Sequence, residues 1–229
     1  MGKKSKRYEQ ISALVDREKV YELGEAVSLV KKTAIAKFDQ TIDLSVKLNI
    51  EMKKSEQTIR GTVLLPHGTG KKRAVAVVCK GEKLSEAKNA GADFVGSEDL
   101  IEDILKGRVK FDVLVATPDI MRELAKLGKI LGPRGLMPSP KAGTVTFEIA
   151  DAIKRIRAGE VEYRADKDGV VHMGVGKGSF EEEKLKQNIE SSIEAILKAR
   201  PSSVKGQYMK SISISATMGP GIKIAVPYS

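Results

Sequence analysis

The chain has 229 residues, 41% of them hydrophobic, and a formal net charge of +10. That hydrophobic share supports a packed core and excludes global disorder, while the basic excess points to a polyanionic partner. Aromatics make up only 4% and Trp is absent, which argues against binding single strands by base stacking and leaves folded nucleic acid held through backbone, hydroxyl and shape contacts.

Residues 1–9 read as a mobile basic tail. No long apolar region follows them, so there is no signal peptide, and no run approaches the roughly 18 apolar residues of a membrane span. The expectation is a soluble cytoplasmic protein with no membrane partner. From Glu22 to Lys37, Leu23, Ala26, Val27, Val30, Ala34 and Ile35 recur at helical spacing, with acids early and lysines late. Thr41 to Ile50 alternates as a strand, and Gln57 to Leu65 as a second. Phe38 stands at the helix–strand junction, where the pattern fits equally a staple between helix and sheet and an exposed tip. Pro66 to Gly70 is a breaker cluster.

The texture then changes. Ala74–Cys79 and Asp112–Ala116 are continuous apolar strands, and Asp93–Val95 is a short one. Helices are predicted at Glu82–Asn89, Glu98–Lys106, Asp119–Leu127 and Ile149–Arg157. This alternation predicts a small parallel α/β layer. Leu131 to Gly143 reads as a long Gly/Pro-rich loop. Cys79, the single cysteine, lies in a buried-type strand and reads as an inert thiol, so no intrachain disulfide forms.

Val161–Asp166 and Val170–Val175 flank Lys167-Asp-Gly169 and read as a hairpin. Glu182–Arg200 is an amphipathic helix stopped by Pro201. Two last strands are joined by Thr217-Met-Gly-Pro-Gly221. In the first of them Ile212, Ile214 and Ala216 alternate with Ser211, Ser213, Ser215 and Thr217. One face is therefore apolar and the other a row of hydroxyls, short groups that let a second polar surface come close. With an exposed Met218 between small residues, this pair reads as a docking edge.

Residues 1–67 offer too little to bury a core alone, residues 160–229 offer four strands and a helix with apolar faces, and the middle looks self-sufficient. The simplest solution is two domains: a discontinuous α+β domain made of residues 1–67 and 160–229, and an inserted Rossmann-like α/β domain of residues 68–159. Paired crossings at Pro66–Gly70 and Ala158–Glu160 predict a hinge. The charge is spread, with +4, +5 and +1 on the three segments in chain order.

No catalytic constellation is found. His67-Gly-Thr-Gly-Lys-Lys72 lacks the upstream glycine and the Ser/Thr of a phosphate loop, and Gly174–Gly178 lacks dinucleotide spacing. His67 and His172 have no metal-ligand partner at useful spacing. The expectation is no enzyme, no cofactor and no metal. A nucleotide-using enzyme built on the middle domain would rest on fold analogy alone.

Lys37-Phe-Asp-Gln-Thr41, Arg60 to Gly68, Ala90 to Gly96, Ala116-Thr-Pro-Asp119, Leu127 to Pro138, Pro140 to Val145 and Thr217-Met-Gly-Pro220 together resemble the family of bacterial ribosomal large-subunit protein one, the mobile-stalk proteins. The resemblance covers nearly the whole chain. It implies an RNA-binding first domain that clamps large-subunit ribosomal RNA, as a monomer within the cytoplasmic ribosome. It also implies a moving stalk that contacts exit-site tRNA and helps its release, and repression of the protein's own operon through binding its mRNA. Carried over, the main RNA contacts fall on Phe38, Thr41, Ser211, Thr217, Met218 and Gly219, with Lys37 beside them as a phosphate contact. Arg164, Lys167 and His172 are further contacts on the same basis, although a solvated turn accounts for them as well. Gly221 departs from a serine of one relative. The role of Arg134 and its Gly/Pro-rich loop is not fixed by the resemblance.

Overall fold

The alternating pattern of the two polar-faced strands builds the first sheet. The computed structural model describes residues 5–50, 59–81, 83–204 and 206–226. It is a mixed α/β structure with three sheets and divides into two compact units, Met1–Gly70 with Val161–Ser229, and Lys71–Glu160.

In the first unit, helix α1 (Lys6–Ser12) and helix α2 (Leu23–Thr33) precede strand β1 (Thr41–Leu48). Strand β2 (Arg60–Leu64) follows. After the second unit come β6 (Glu160–Arg164), β7 (Val170–Lys177), helix α8 (Glu182–Lys198), β8 (Met209–Ala216) and β9 (Ile222–Ile224). The main sheet runs β7-β1-β8-β9, all antiparallel, while β2 and β6 form a separate pair. One face of the main sheet carries Ile42, Leu44, Val46, Met173, Val175, Ile212, Ile214 and Ile222. Ala26, Val27 and Val30 of α2 and Leu185, Ile189, Ile193 and Ile196 of α8 join them in one buried cluster. Each large side chain removed from water there contributes about 1.5–3 kcal/mol.

The second unit contains β3 (Val75–Val78), α3 (Lys83–Asn89), β4 (Phe94–Gly96), α4 (Glu98–Leu105), β5 (Val113–Ala116), a short α5 (Met121–Leu124) between two 3-10 turns, α6 (Gly128–Arg134) and α7 (Ile149–Ala158). Its parallel sheet has the order β4-β3-β5. Ala76 and Val78 pack with Leu100, Ile101 and Ile104 of α4, and Val75 and Val77 with Ile149, Ala152 and Ile153 of α7. Burial on both faces is why this strand reads as an unbroken apolar run.

Several expectations need correcting. Lys6–Ser12 is helical rather than a tail, because the Ser5 hydroxyl accepts from the Tyr8 N–H and caps it; residues 1–4 of that expected tail lie outside the described residues, as do Gln57, Thr58 and Glu82 of other predicted elements. Helix α2 ends at Thr33, four residues early, where the Thr33 hydroxyl donates back to the Val30 carbonyl at 2.8 Å. The expected loop from Leu131 opens as α6, driven by burial of Leu131. Pro133 lies inside this helix, which ends at Arg134 and is capped by a left-handed Gly135 with φ 68°. The hairpin turn at residues 167–169 forms, with Asp166 Oδ1 accepting from the Asp168 and Val170 N–H groups. Its arms do not form a ladder, however: β6 pairs with β2, β7 pairs with β1, and Ala165–Val171 is the single bridge between them. The glycine patterns at 68–70 and 174–176 are turn and strand respectively, and neither opens a helix.

Candidate nucleic-acid interface

The second face of the main sheet is polar because every other residue of β1 and most of the outward positions of β8 are polar. Thr41, Asp43, Ser45 and Lys47 of β1 alternate with the buried core positions, and so do Ser213 and Ser215 of β8. Pairing sets them in rows. Ser45 stands between His172 and Ser213, and Ser213 is opposite Lys223 of β9. Asp43 lies between Gly174 and Ser215, and Lys47 between Val170 and Ser211.

At one end of this face the two ends of the chain meet. The Thr217 N–H donates to the Thr41 carbonyl at 3.0 Å, the Thr41 N–H donates to Thr217 Oγ1 at 3.1 Å, and that hydroxyl donates back to the Thr41 carbonyl. Buried Gln40 accepts the Met218 N–H through Oε1 at 3.0 Å. The turn closes with the Gly219 N–H on the Ala216 carbonyl, and a Cβ on Gly219 would sit 3.3 Å from both the Ala216 Cβ and the Thr33 hydroxyl. Glycine leaves room there for the turn to pack closely against the end of α2, and a larger residue would push these neighbours apart by a few tenths of an ångström. On the other side, Asp39 accepts from the Ser179 N–H and hydroxyl, and Lys177 Nζ donates to Thr41 Oγ1 at 3.0 Å. The framework is thus fixed by polar bonds, while Phe38 and Met218 stand 55% and 49% exposed above it. That exposure removes the staple reading of Phe38.

Of the expected site residues, Phe38, Thr41, Thr217, Met218 and Gly219 are gathered at this end, with exposed Lys37 next in sequence. Ser211 is not among them. It pairs with Lys47, six residues along β1 from Thr41, or roughly 20 Å at the rise of a strand. His172 lies midway, its Nδ1 2.9 Å from the Ser45 hydroxyl and its Nε2 3.7 Å from Asp166 Oδ2. Lys167 belongs to the turn beyond the Lys47 end, and Arg164 is exposed at the end of β6. Apart from Arg164, which ends a strand of the separate β2–β6 pair, the set therefore marks the two ends and the middle of the main sheet, not a single spot. Ser213 and Ser215, of the hydroxyl row already read from the sequence, and Ser45 of β1 fill the space between, and Lys177 stands opposite Thr41 at the junction end. Ser45 and Lys177 were not singled out in the sequence; for Ser45 the signal was the polar half of the 41–48 alternation.

Asp43 puts a negative charge among these groups. Burial raises the Asp43 carboxyl above its ordinary pKa, with His172 and Lys177 pulling it partly back. A folded chain that takes up this proton more readily than the unfolded chain is favoured below the unfolded pKa and loses that advantage as pH rises through the folded one. Asp43 thus opposes folding at neutral pH, and its charge repels phosphate. Asp43→Asn is expected to melt above the parent at pH 7, to lose that advantage near pH 3, and to bind RNA several-fold more tightly. Melting curves at the two pH values and a filter-binding titration check this; a lower melting temperature at pH 7 contradicts it.

Among the described residues, no group of three or more His, Cys, Asp or Glu side chains is placed to hold a metal ion, and no helix is long and apolar enough to cross a membrane.

A family model described as the ribosomal protein L1p/L10e family matches residues 30–220. Proteins described as large ribosomal subunit protein uL1 from Thermosipho africanus (strain TCF52B), Thermosipho melanesiensis (strain DSM 12029 / CIP 104789 / BI429) and Fervidobacterium nodosum (strain ATCC 35602 / DSM 5306 / Rt17-B1) are each 57% identical to this chain over 225 residues. The alignments cover 98% of this chain and 97%, 97% and 96% of those proteins.

Proposed function

The chain belongs to the ribosomal protein L1p/L10e family, and from that premise we propose that it binds a folded segment of large-subunit ribosomal RNA across the open polar face of its four-stranded sheet. It is a structural ribosomal component rather than an enzyme, working where ribosomes are, in the cytoplasm. The observation that carries the site is the bonded junction of residues 38–41 with 217–219, which supports an exposed Phe and Met on a rigid base. Rows of hydroxyls suit 2′-OH and phosphate oxygens, since each both donates and accepts. Phe38 and Met218 take the apolar faces of unstacked bases, and Lys37 and Lys177 take adjoining phosphates. Arg164, Lys167 and His172 extend the contact toward the Lys47 end.

Footprinting tests this reading. The protein is expected to protect one defined segment of large-subunit RNA, with affinity falling linearly in log salt. Lys37→Gln is expected to reduce that slope by about one and to weaken all RNA segments alike. No protected segment, or an unchanged slope, counts against the assignment.

The two units act in this reading as two domains, the crossings at residues 66–70 and 158–160 serving as a hinge. Motion of the second unit about them would make the protein a mobile stalk that contacts exit-site tRNA and aids its release. The same sheet face, offered a similar fold in the protein's own mRNA, would repress its operon. Family membership supports both readings.

A further inference from the structure

The second unit has a hollow that the sheet-face reading does not use. It lies between the end of α4, the 107–111 loop that leads into β5, and the last turn of α6, and measures about 240 Å³. Ile104, Val109, Phe111, Ile130, Leu131 and Leu136 make its walls, and Ile104 and Leu131 are nearly fully buried. Two cations, Lys110 and Arg134, line it, and no carboxylate does. The nearby acids on α4 are engaged: Glu102 pairs with Lys106 and Asp103 with Arg108. Lys110 and Arg134, by contrast, have no ion pair or side-chain hydrogen bond among the described residues. Arg134 sits in the last turn of α6, where a cation suits the helix dipole. That accounts for one charge but not for a second unpaired one on the same hollow.

We propose that this hollow takes a single unpaired nucleotide of RNA, its base against Phe111 and its flanking phosphates on Lys110 and Arg134. Three observations select that occupant. The volume is below the roughly 300 Å³ at which pockets for larger ligands begin, so it suits one ring system and not a dinucleotide. The walls are apolar with one aromatic, as base stacking requires. Two cations at the rim match a residue that carries a phosphate on either side. The site is separate from the sheet face and does not depend on it.

The test is photo-crosslinking of the full chain to a six-nucleotide oligomer of 4-thiouridine, with adducts mapped by mass spectrometry. Adducts are expected within residues 104–111 and 130–136. They should fall about tenfold in Lys110→Gln/Arg134→Gln, whose changes are on the surface, and in Val109→Trp, whose indole fills the hollow. A Phe38→Ala/Met218→Ala chain should keep them, which separates this site from the sheet face. Adducts confined to residues 37–48 and 211–219, or unaltered in the Gln pair, overturn the proposal. So does an acidic peptide with one Phe that shifts the Val109 methyl resonances and is not displaced by the oligomer. If Val109→Trp fails to melt as the parent does, the Gln pair alone decides.

Discussion

A chain carrying Phe38→Ala and Met218→Ala together is expected to bind its ribosomal RNA segment about 100-fold more weakly while melting within about 2 °C of the parent. The two effects separate because both side chains are about half exposed, so truncation removes little buried surface. Stacking on a base contributes roughly 1–3 kcal/mol per aromatic, and a thioether against a base is of the lower order. About 3 kcal/mol together corresponds to two decades of affinity. The backbone beneath is untouched, since Gln40 and Thr217 hold it through bonds that neither substitution removes. Filter binding alongside thermal melting tests this. Unchanged affinity sinks the site assignment, and a loss of folding shows that the two residues were core after all. Thr217→Ala is a different experiment. The Thr217 hydroxyl braces both backbone groups of Thr41, so its removal disturbs the junction as well as any contact with RNA.

Asn188→Leu is expected to destabilise the first unit by about 3 kcal/mol. Asn188 is fully buried on α8. Its Oδ1 accepts from the His67 N–H at 3.1 Å, and its Nδ2 donates to the carbonyls of Gly68 at 2.9 Å and Val175 at 2.8 Å. A leucine fills a similar space but leaves one N–H and two carbonyls unpaired, each at a cost of about 1–3 kcal/mol. For a chain of this size that lowers the melting temperature by roughly 10 °C. The loss is also directional, because two of the three bonds tie down the crossing segment. Amide exchange at residues 66–70 should accelerate more than at β1. Asn188→Asp sharpens the test. It keeps an acceptor for His67 but turns acceptors toward the two carbonyls, so it should be worse than leucine at pH 7. Burial raises such a carboxyl in the folded chain, so the variant should recover as pH falls and the acid becomes a donor. A pH-independent defect, or one no larger than a surface substitution, contradicts this role.

Much of the fold was legible locally. Residues 41–48 and 209–216 alternate because a strand with one face in the core and one outside must do so, and their period marked both the element and its polar side. The unbroken run at residues 75–78 announced burial on both faces. Asp168-Gly169 announced a turn, but the hairpin read from it was wrong about what its arms pair with. β7 instead pairs along its length with β1, more than 120 residues away in sequence, while β6 pairs with β2. The 128–134 helix was hidden by two glycines and a proline, all poor helix formers, and forms because burial of Leu131 outweighs their propensity.

The same division runs through the candidate site. The sequence by itself determined which residues are strand, which side of each strand is polar, that Gly219 and Met218 share a tight turn, and, through its motifs, the family. It could not determine that Thr217 would bond Thr41, 176 residues away, or that Gln40 would hold Met218 in place. Those contacts exist only once β8 has paired with β1 in a single register, and that register is chosen by the apolar side chains of the opposite face. The hydrophobic pattern is written locally, residue by residue. The surface it produces on the other side of the sheet is a consequence of long-range pairing, and only the tertiary structure decided it.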